Sequence, residues 1–281
     1  MNEPQFCFIA PIEYLDFVPQ ESRAHLVLAH LVDSSETYAS FYKKRSEDGD
    51  YIMMDNSAYE LKEPYSPDKL LELANKCGAV AIVLPDYPFQ PCEVTIEAAE
   101  KFIPQFKEEG YDTFFVPQSE KGNLDDWLEG YKYASQHPDI DIIGMSILGI
   151  PNAIPHIDPA FSRVVMTQML KDRNMLSNIK RHHYLGLNSG PKLEIPSLLR
   201  MGVLDTIDSS GPVWAGIVGH QYTNEADSLQ MVSKIKLPVN FELPGSKDEM
   251  THERIKHNIK MTQELFDPEF WNRGSVWYAE E

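Results

Sequence analysis

The sequence predicts a single (β/α)8 barrel, and three observations predict it. The 281 residues suit one closed α/β barrel, which typically takes roughly 250. Short β-branched and aromatic runs alternate with longer amphipathic segments, the pattern of parallel strands joined by helical crossovers. Several of these runs end directly in acids, amides or hydroxyls, where a barrel collects its functional side chains. An open doubly wound sheet is the alternative. Its first turn is normally glycine-rich, and Ala10-Pro11-Ile12-Glu13 is not.

Phe6–Ile12 is the first expected strand, and Tyr51–Asp55 the second. A helix over Pro67–Cys77 follows: Ser66 stands as a cap before Pro67, Leu70, Leu71, Leu73 and Ala74 form its apolar face, and Gly78 closes it. Val80–Leu84 is the third strand. Val94–Glu109 carries Ile96, Ala99, Phe102, Ile103 and Phe106 at helical spacing, with Gly110 as its stop. Strands at Thr113–Pro117, Ile140–Ser146, His183–Leu187 and Val203–Ile207 alternate with helices at Leu124–Ala134, Ser162–Ile179 and Ile195–Met201. Ala226–Lys234 is the next helix and Pro238–Glu242 the eighth strand. The polar segment Gly245–His252 reads as a βα loop before a last helix over His252–Phe266. Residues 1–281 are thus one domain. Its tail, 267–281, carries Phe270, Trp271, Trp277 and Tyr278, and is expected to pack on the barrel or at a homodimer contact.

Composition narrows the function. No stretch approaches the roughly eighteen apolar residues of a membrane span, so no membrane partner is expected. Met1-Asn2-Glu3-Pro4 lacks the basic start of a secretory signal, and the expected location is the cytoplasm. Cys7, Cys77 and Cys92 are too scattered for a disulfide framework or a CxxC site and read as buried packing. With 25 basic and 43 acidic residues the net charge is −18, which argues against tight non-specific nucleic-acid binding but leaves room for a local basic patch. Candidate patches are Lys43-Lys44-Arg45, Lys171 with Arg173, Lys180-Arg181-His182-His183, and Arg254 with Lys256, His257 and Lys260; each is more often a solvated face. His252 and His257 are one residue too far apart for the H-E-x-x-H zinc spacing, and no metal site is expected.

The strand ends carry the chemistry. Asp55 follows the second strand and leads into Asn56, Ser57, Ala58 and Tyr59. Asp86 follows the third, Gln118 the fourth and Ser146 the fifth, while the seventh carries Asp205 and runs into Asp208. Alternation along a strand points two residues three apart to opposite faces, and Asp208, nearer the C-terminal end, is the candidate for the mouth. One such aspartate is commonly a helix cap. Three at the same end of different strands are poised either for acid/base work, through mutual repulsion, or for a divalent metal.

At this level the chain resembles the tRNA-guanine transglycosylase superfamily. Asp55-Asn56-Ser57-Ala58-Tyr59 resembles its D-S-G-G-Y/F segment, and Val116-Pro117-Gln118 its V-Q-G strand end. Gly144-Met145-Ser146-Ile147-Leu148-Gly149 resembles G-G-L-A/S-V-G, and His183 through Asp208 resembles the stretch from R-Y-L-M-G to G-I/V-D-M-F-D. The agreement in order extends from about Asp55 to Gly216. The resemblance implies that Asp208 is the nucleophile, attacking C1′ and displacing guanine to leave a covalent glycosyl-aspartate. It implies that Asp55 is the general acid/base, that Asp86 and Gln118 read the base edge, that Gly144, Met145 and Ser146 give backbone contacts, and that Tyr59 and Leu185 sandwich the ring. Asn56 and Asp205 are further site candidates, and Trp214, in the loop after Asp208, is a candidate to stack on substrate.

Two features of the tRNA enzymes are missing. Their C-x-C-x-x-C…H zinc site has no counterpart beyond Cys92, and their arginine-bearing loop after the nucleophile is replaced by Ser209-Ser210-Gly211-Pro212-Val213-Trp214. The resemblance is therefore to the compact, zinc-less viral relatives acting on DNA, with no cofactor and with a 7-deazaguanine base and nucleic acid as partners. A viral chain would act in the host cytoplasm, alone or with an accessory protein. The alternatives are base exchange in tRNA, a metal-dependent barrel hydrolase or lyase, and an inactive binding barrel. The metal-dependent reading needs a strand-end histidine, and His183, expected to begin its strand, is the sole candidate.

Overall fold

The computed structural model describes residues 3–61, 65–223, 230–231 and 240–267. The chain opens with β1 (Gln5–Phe8), a 3-10 helix over Ile12–Phe17, β2 (Ala24–Leu28), α1 (Ala29–Ser34) and α2 (Glu36–Glu47). Next come β3 (Tyr51–Asp55), α3 (Ala58–Leu61), α4 (Pro67–Cys77), β4 (Ala81–Val83), α5 (Cys92–Glu108) and β5 (Asp112–Phe115). They are followed by α6 (Leu124–Gln136), β6 (Ile142–Gly144), α7 (Gly149–Ala153), α8 (Pro159–Asp172), β7 (Arg181–Tyr184) and α9 (Pro191–Met201). The described part ends with β8 (Thr206–Ser209), α10 (Gly211–Ile217) and α11 (Glu249–Glu264).

The eight strands among the described residues are parallel, in the order β1-β8-β7-β6-β5-β4-β3-β2. The end strands β1 and β2 pack against each other, so the sheet nearly closes into the expected barrel. Ser66 caps α4 by accepting from the Lys69 N–H, and Gly78 ends it at φ +72°, where a left-handed residue is required. The three cysteines are buried. No described helix is long and apolar enough to cross a membrane.

The eight strands are not the eight expected. β2 lies in a stretch expected to hold none, because Ala24-His25-Leu26-Val27-Leu28 runs into Ala29-His30-Leu31-Val32 with no turn residue between strand and helix. A continuous apolar run of that kind cannot be divided by periodicity. Of the expected strand Pro238–Glu242, residues 238–239 lie outside the described residues and Phe241 and Glu242 form a turn. Most of the expected helix Ala226–Lys234 and all of 268–281 also lie outside them. Glu249–His252, expected as loop, is the first turn of α11, capped by Asp248, whose side chain accepts from the Met250 and Thr251 N–H groups.

Two register differences shape the site. β7 begins two residues earlier than expected, so His183 lies inside it, and β8 is shifted C-terminally, so Asp208 lies within the strand while Asp205 precedes it. Residues in register across parallel strands share a face, which joins Cys7 to Asp208 and Gly144 to His183 and on to Thr206. The opposite face of β7 meets the helices: His182 bonds Tyr131 of α6 and Tyr184 bonds Thr167 of α8. Cys7, Gly144, His183, Thr206 and Asp208 therefore face the barrel interior. At the other end of the barrel, Tyr51 and Arg181 both donate to Asp112 Oδ2, at 2.5 and 2.6 Å, with the guanidinium 4.8 Å from the Tyr51 ring centre.

Candidate active site

The mouth is built on one side by three consecutive strand ends. Asp55 closes β3, and the chain turns at once: the Ser57 N–H donates to Asp55 Oδ2 at 2.9 Å and the Ala58 N–H to Asn56 Oδ1 at 2.8 Å. Ser57 takes φ +57°, an uncommon backbone for a side-chain-bearing residue, and its hydroxyl is fully buried against His30. Asn56 spans to the next strand, its Nδ2 donating to Leu84 O and to Asp86 Oδ1, both at 2.8 Å. Gln118, beyond β5, donates from Nε2 to Asp86 Oδ2 at 2.6 Å. Asp86 is thus held between two amides in a buried position. Burial pushes its carboxyl above the ordinary value, against the pull of the two donors. Gln118 Oε1 is buried with no hydrogen-bond partner among the described residues, an acceptor left over in a polar pocket.

Across the mouth, Asp208 is held by β7. Its Oδ1 accepts from His183 Nε2 at 3.0 Å and from the Gly186 N–H at 2.8 Å. Among the described residues no hydrogen bond to Oδ2 accompanies these two. His183 is fully buried, and its Nδ1 lies 2.6 Å from Thr206 Oγ1. Gly186 has φ +74°, and a Cβ there would come within 2.9 Å of Ile147, so the turn that presents its N–H to Asp208 needs glycine.

The loop bases behind this pair are tied by Arg163, buried completely on α8. It pairs with Glu194 of α9 at 2.6 and 2.7 Å and donates to Met145 O at 3.0 Å, Leu185 O at 2.9 Å and Gly186 O at 2.7 Å. One guanidinium thus fixes the ends of β6 and β7 together.

The remaining expected residues fall into distinct settings. Gly144 lines the interior, where a Cβ would meet Phe114 and Val116 at 2.8 Å and Leu185 at 3.0 Å. Met145 is buried, its N–H given to His183 O and its carbonyl engaged by Arg163. Ser146 Oγ accepts from the Leu148 and Gly149 N–H groups, both at 3.1 Å, and turns the chain into α7. Leu185 is half-buried beside Gly144. Tyr59 belongs to α3, and its side chain lies outside the described residues. Asp205 sits at the far end of β8, where Oδ2 accepts from the His182 N–H at 2.7 Å; the structure separates it from the mouth. Trp214 is buried in α10 with its ring 6.1 Å from Phe241, packed inside rather than offered to solvent.

Sequence reasoning missed His30. It follows the unexpected β2, at the start of α1 and beside the end of β3, and its Nδ1 lies 2.9 Å from Ser57 Oγ. Burial lowers its imidazole below the ordinary value, with the Glu242 carboxylate opposing. The one available signal was an unexplained histidine at the end of an apolar run. His183 was seen but assigned to the start of its strand.

Lys171 and Arg173 stay exposed at the end of α8, while the other three expected basic patches are in good part consumed by the protein itself. Arg45 is buried on Asp50, Lys180 donates to His137 O and Ile140 O, Arg181 lies in the barrel, and Arg254 donates to Gly216 O. Among the described residues no group of three His, Cys, Asp or Glu side chains converges in a metal-ligating arrangement. A surface recess of about 600 Å³ on α8, lined by Val164, Gln168, Met169 and Met201, lies on the helical layer outside the mouth.

Fold and site together define a (β/α)8 barrel with an amide-clamped, burial-perturbed carboxyl on one side of its mouth and a histidine-backed carboxylate on the other. No protein-family model matches the chain, and no curated protein matches it.

Proposed function

We propose that this barrel is a pentosyl-transferring enzyme that exchanges guanine in nucleic acid for a 7-deazaguanine of the preQ0 or preQ1 type, in DNA rather than tRNA. The observation that carries the reading is the one-sided anchoring of Asp208. Among the described residues both of its hydrogen bonds go to Oδ1, the arrangement a carboxylate nucleophile requires if its other oxygen is to meet an anomeric carbon. In the exchange, Oδ2 bonds to C1′ as the C1′–N9 bond breaks, and the departing guanine takes up a proton. The incoming base loses a proton, attacks C1′ through N9, and returns the bonding pair to the carboxylate. Asp55 carries the proton in both halves. Asp86 and the unpartnered Gln118 Oε1 offer acceptors to the amide and amino hydrogens of a guanine-like edge. The net charge and the internal engagement of Arg45 and Arg181 point to an accessory protein for phosphate contacts. The expected setting is the cytoplasm, of the host if the chain is viral.

The test incubates purified protein with labelled 7-deazaguanine and duplex DNA or tRNA, without ATP, in the presence of chelator. Label in DNA and a covalent adduct lost in Asp208→Asn support the reading, label in tRNA alone moves the substrate, and label in neither sinks it. Activity that chelator abolishes favours the metal-dependent alternative, for which His30 is the strand-end histidine.

A further inference from the structure

We propose that His183 is a positioning residue that selects Oδ2 of Asp208 as the reacting oxygen and hastens release of the sugar from it; this rests on the base-exchange reading. The sequence offered this side chain only as part of a basic patch and as the histidine of a metal-dependent alternative, and full burial inside the barrel removes it from direct contact with solvent.

The geometry sets the direction of the hydrogen bond to Asp208. A carboxylate only accepts, so the 3.0 Å contact requires the proton on His183 Nε2, and the Thr206 hydroxyl, 2.6 Å from Nδ1, holds the other side of the ring. Phe114 packs against the ring with centroids 5.3 Å apart, which prevents the imidazole from turning away. With the Gly186 N–H as the second donor, Oδ1 is held from two directions while Oδ2 is not.

That asymmetry acts differently on the two halves of the exchange. In the glycosyl-aspartate, Oδ2 is bonded to C1′ and Oδ1 is an uncharged carbonyl oxygen. When N9 of the incoming base attacks C1′, the C1′–Oδ2 pair returns to the aspartate and the negative charge spreads over both oxygens. Hydrogen bonds to a charged oxygen are stronger than those to a neutral carbonyl, so the His183 donor favours the departing carboxylate and speeds this second half. In the first half the same bond stabilises the attacking carboxylate, and there its contribution is to orientation.

The experiment follows the covalent adduct by quenched-flow and denaturing gel. His183→Leu removes the donor and is expected to slow discharge of the adduct by incoming base roughly 10- to 100-fold, while slowing its formation much less, so that adduct accumulates. His183→Gln, whose Nε2 reaches a similar point, is expected to restore most of the discharge rate. Thr206→Val, which frees the ring, is expected to give an intermediate effect and serves if His183→Leu fails to fold. Formation and discharge slowed equally in both variants, or a glutamine variant no better than leucine, overturns the assignment while leaving base exchange intact. Absence of any adduct from the unaltered protein overturns base exchange itself, and this assignment with it.

Discussion

Replacement of Arg163 by methionine tests how the bases of the two loops behind Asp208 are held. The side chain is fully buried, as is that of its partner Glu194, and the two are joined by two hydrogen bonds of 2.6 and 2.7 Å. Removing one member of a buried ion pair strands the other without solvent, a cost of about 3–5 kcal/mol. The Met145 and Gly186 carbonyls lose the Arg163 donor in the same step, and that of Leu185 keeps only the Ile147 N–H, which argues for the upper half of that range. Such a loss is a large fraction of the roughly 5–15 kcal/mol that holds a domain folded. Urea unfolding at neutral pH, followed by circular dichroism, measures it. A double variant, Arg163→Met with Glu194→Leu, removes both charges and is expected to recover part of the loss, since the desolvation cost disappears with them. A cost below about 1 kcal/mol for Arg163→Met, or a double variant no more stable than the single one, would refute the reasoning.

Four further outcomes follow from the same geometry. Burial depresses the His182 imidazole from 6.5 to about 4, so between those values the unfolded chain binds a proton that the folded chain does not; stability is lost as pH falls through that window, by on the order of 3 kcal/mol in full, and His182→Gln should flatten the profile. For Asp86 the sign is opposite: its raised carboxyl costs stability above the ordinary value of 3.8, so Asp86→Asn should be more stable than the unaltered protein at pH 7, the advantage fading toward pH 4, while base incorporation falls; lower stability at pH 7 would count against it. Gly144→Ala pushes a methyl to within 2.8 Å of Phe114 and Val116 and should cost about 1–3 kcal/mol in thermal or chemical unfolding. Asp205→Ala should retain adduct formation, since that carboxylate caps the His182 N–H away from the mouth; loss of the adduct with the fold intact would restore Asp205 as a rival nucleophile.

The strand-end acids were legible because position along a strand is a local property: a β-branched run followed by Asp or Gln reads the same whatever the strand pairs with. Asp55, Asp86 and Gln118 emerged from that rule, and the structure joins Asp86 and Gln118 directly and Asp55 to them through the adjoining Asn56. The rule failed where punctuation failed. Ala24–Leu28 passes into α1 without a glycine, proline or cap, so β2 and the histidine beyond it went unseen. The expected strand at Pro238–Glu242, of which residues 238–239 lie outside the described residues and Phe241 and Glu242 form a turn, stood in the expected count where β2 stands in the sheet. A two-residue offset in β7 misplaced His183, which the sequence sets at the start of its strand and the structure sets within it, near the C-terminal end.

The carboxylates with which the site began are thus a matter of sequence in their identity and of tertiary structure in their roles. Periodicity, caps and strand-end polarity determined a parallel α/β barrel and the end at which Asp55, Asp86 and Asp208 stand, because each of these signals acts over a few residues. Only the folded chain decided that Asp86 is clamped by Asn56 and Gln118, that His183 backs Asp208, and that Arg163 meets Glu194 across 31 positions. Those pairings depend on strand register and on burial, and the energy of a buried polar group is set by whichever partners the whole fold brings to it.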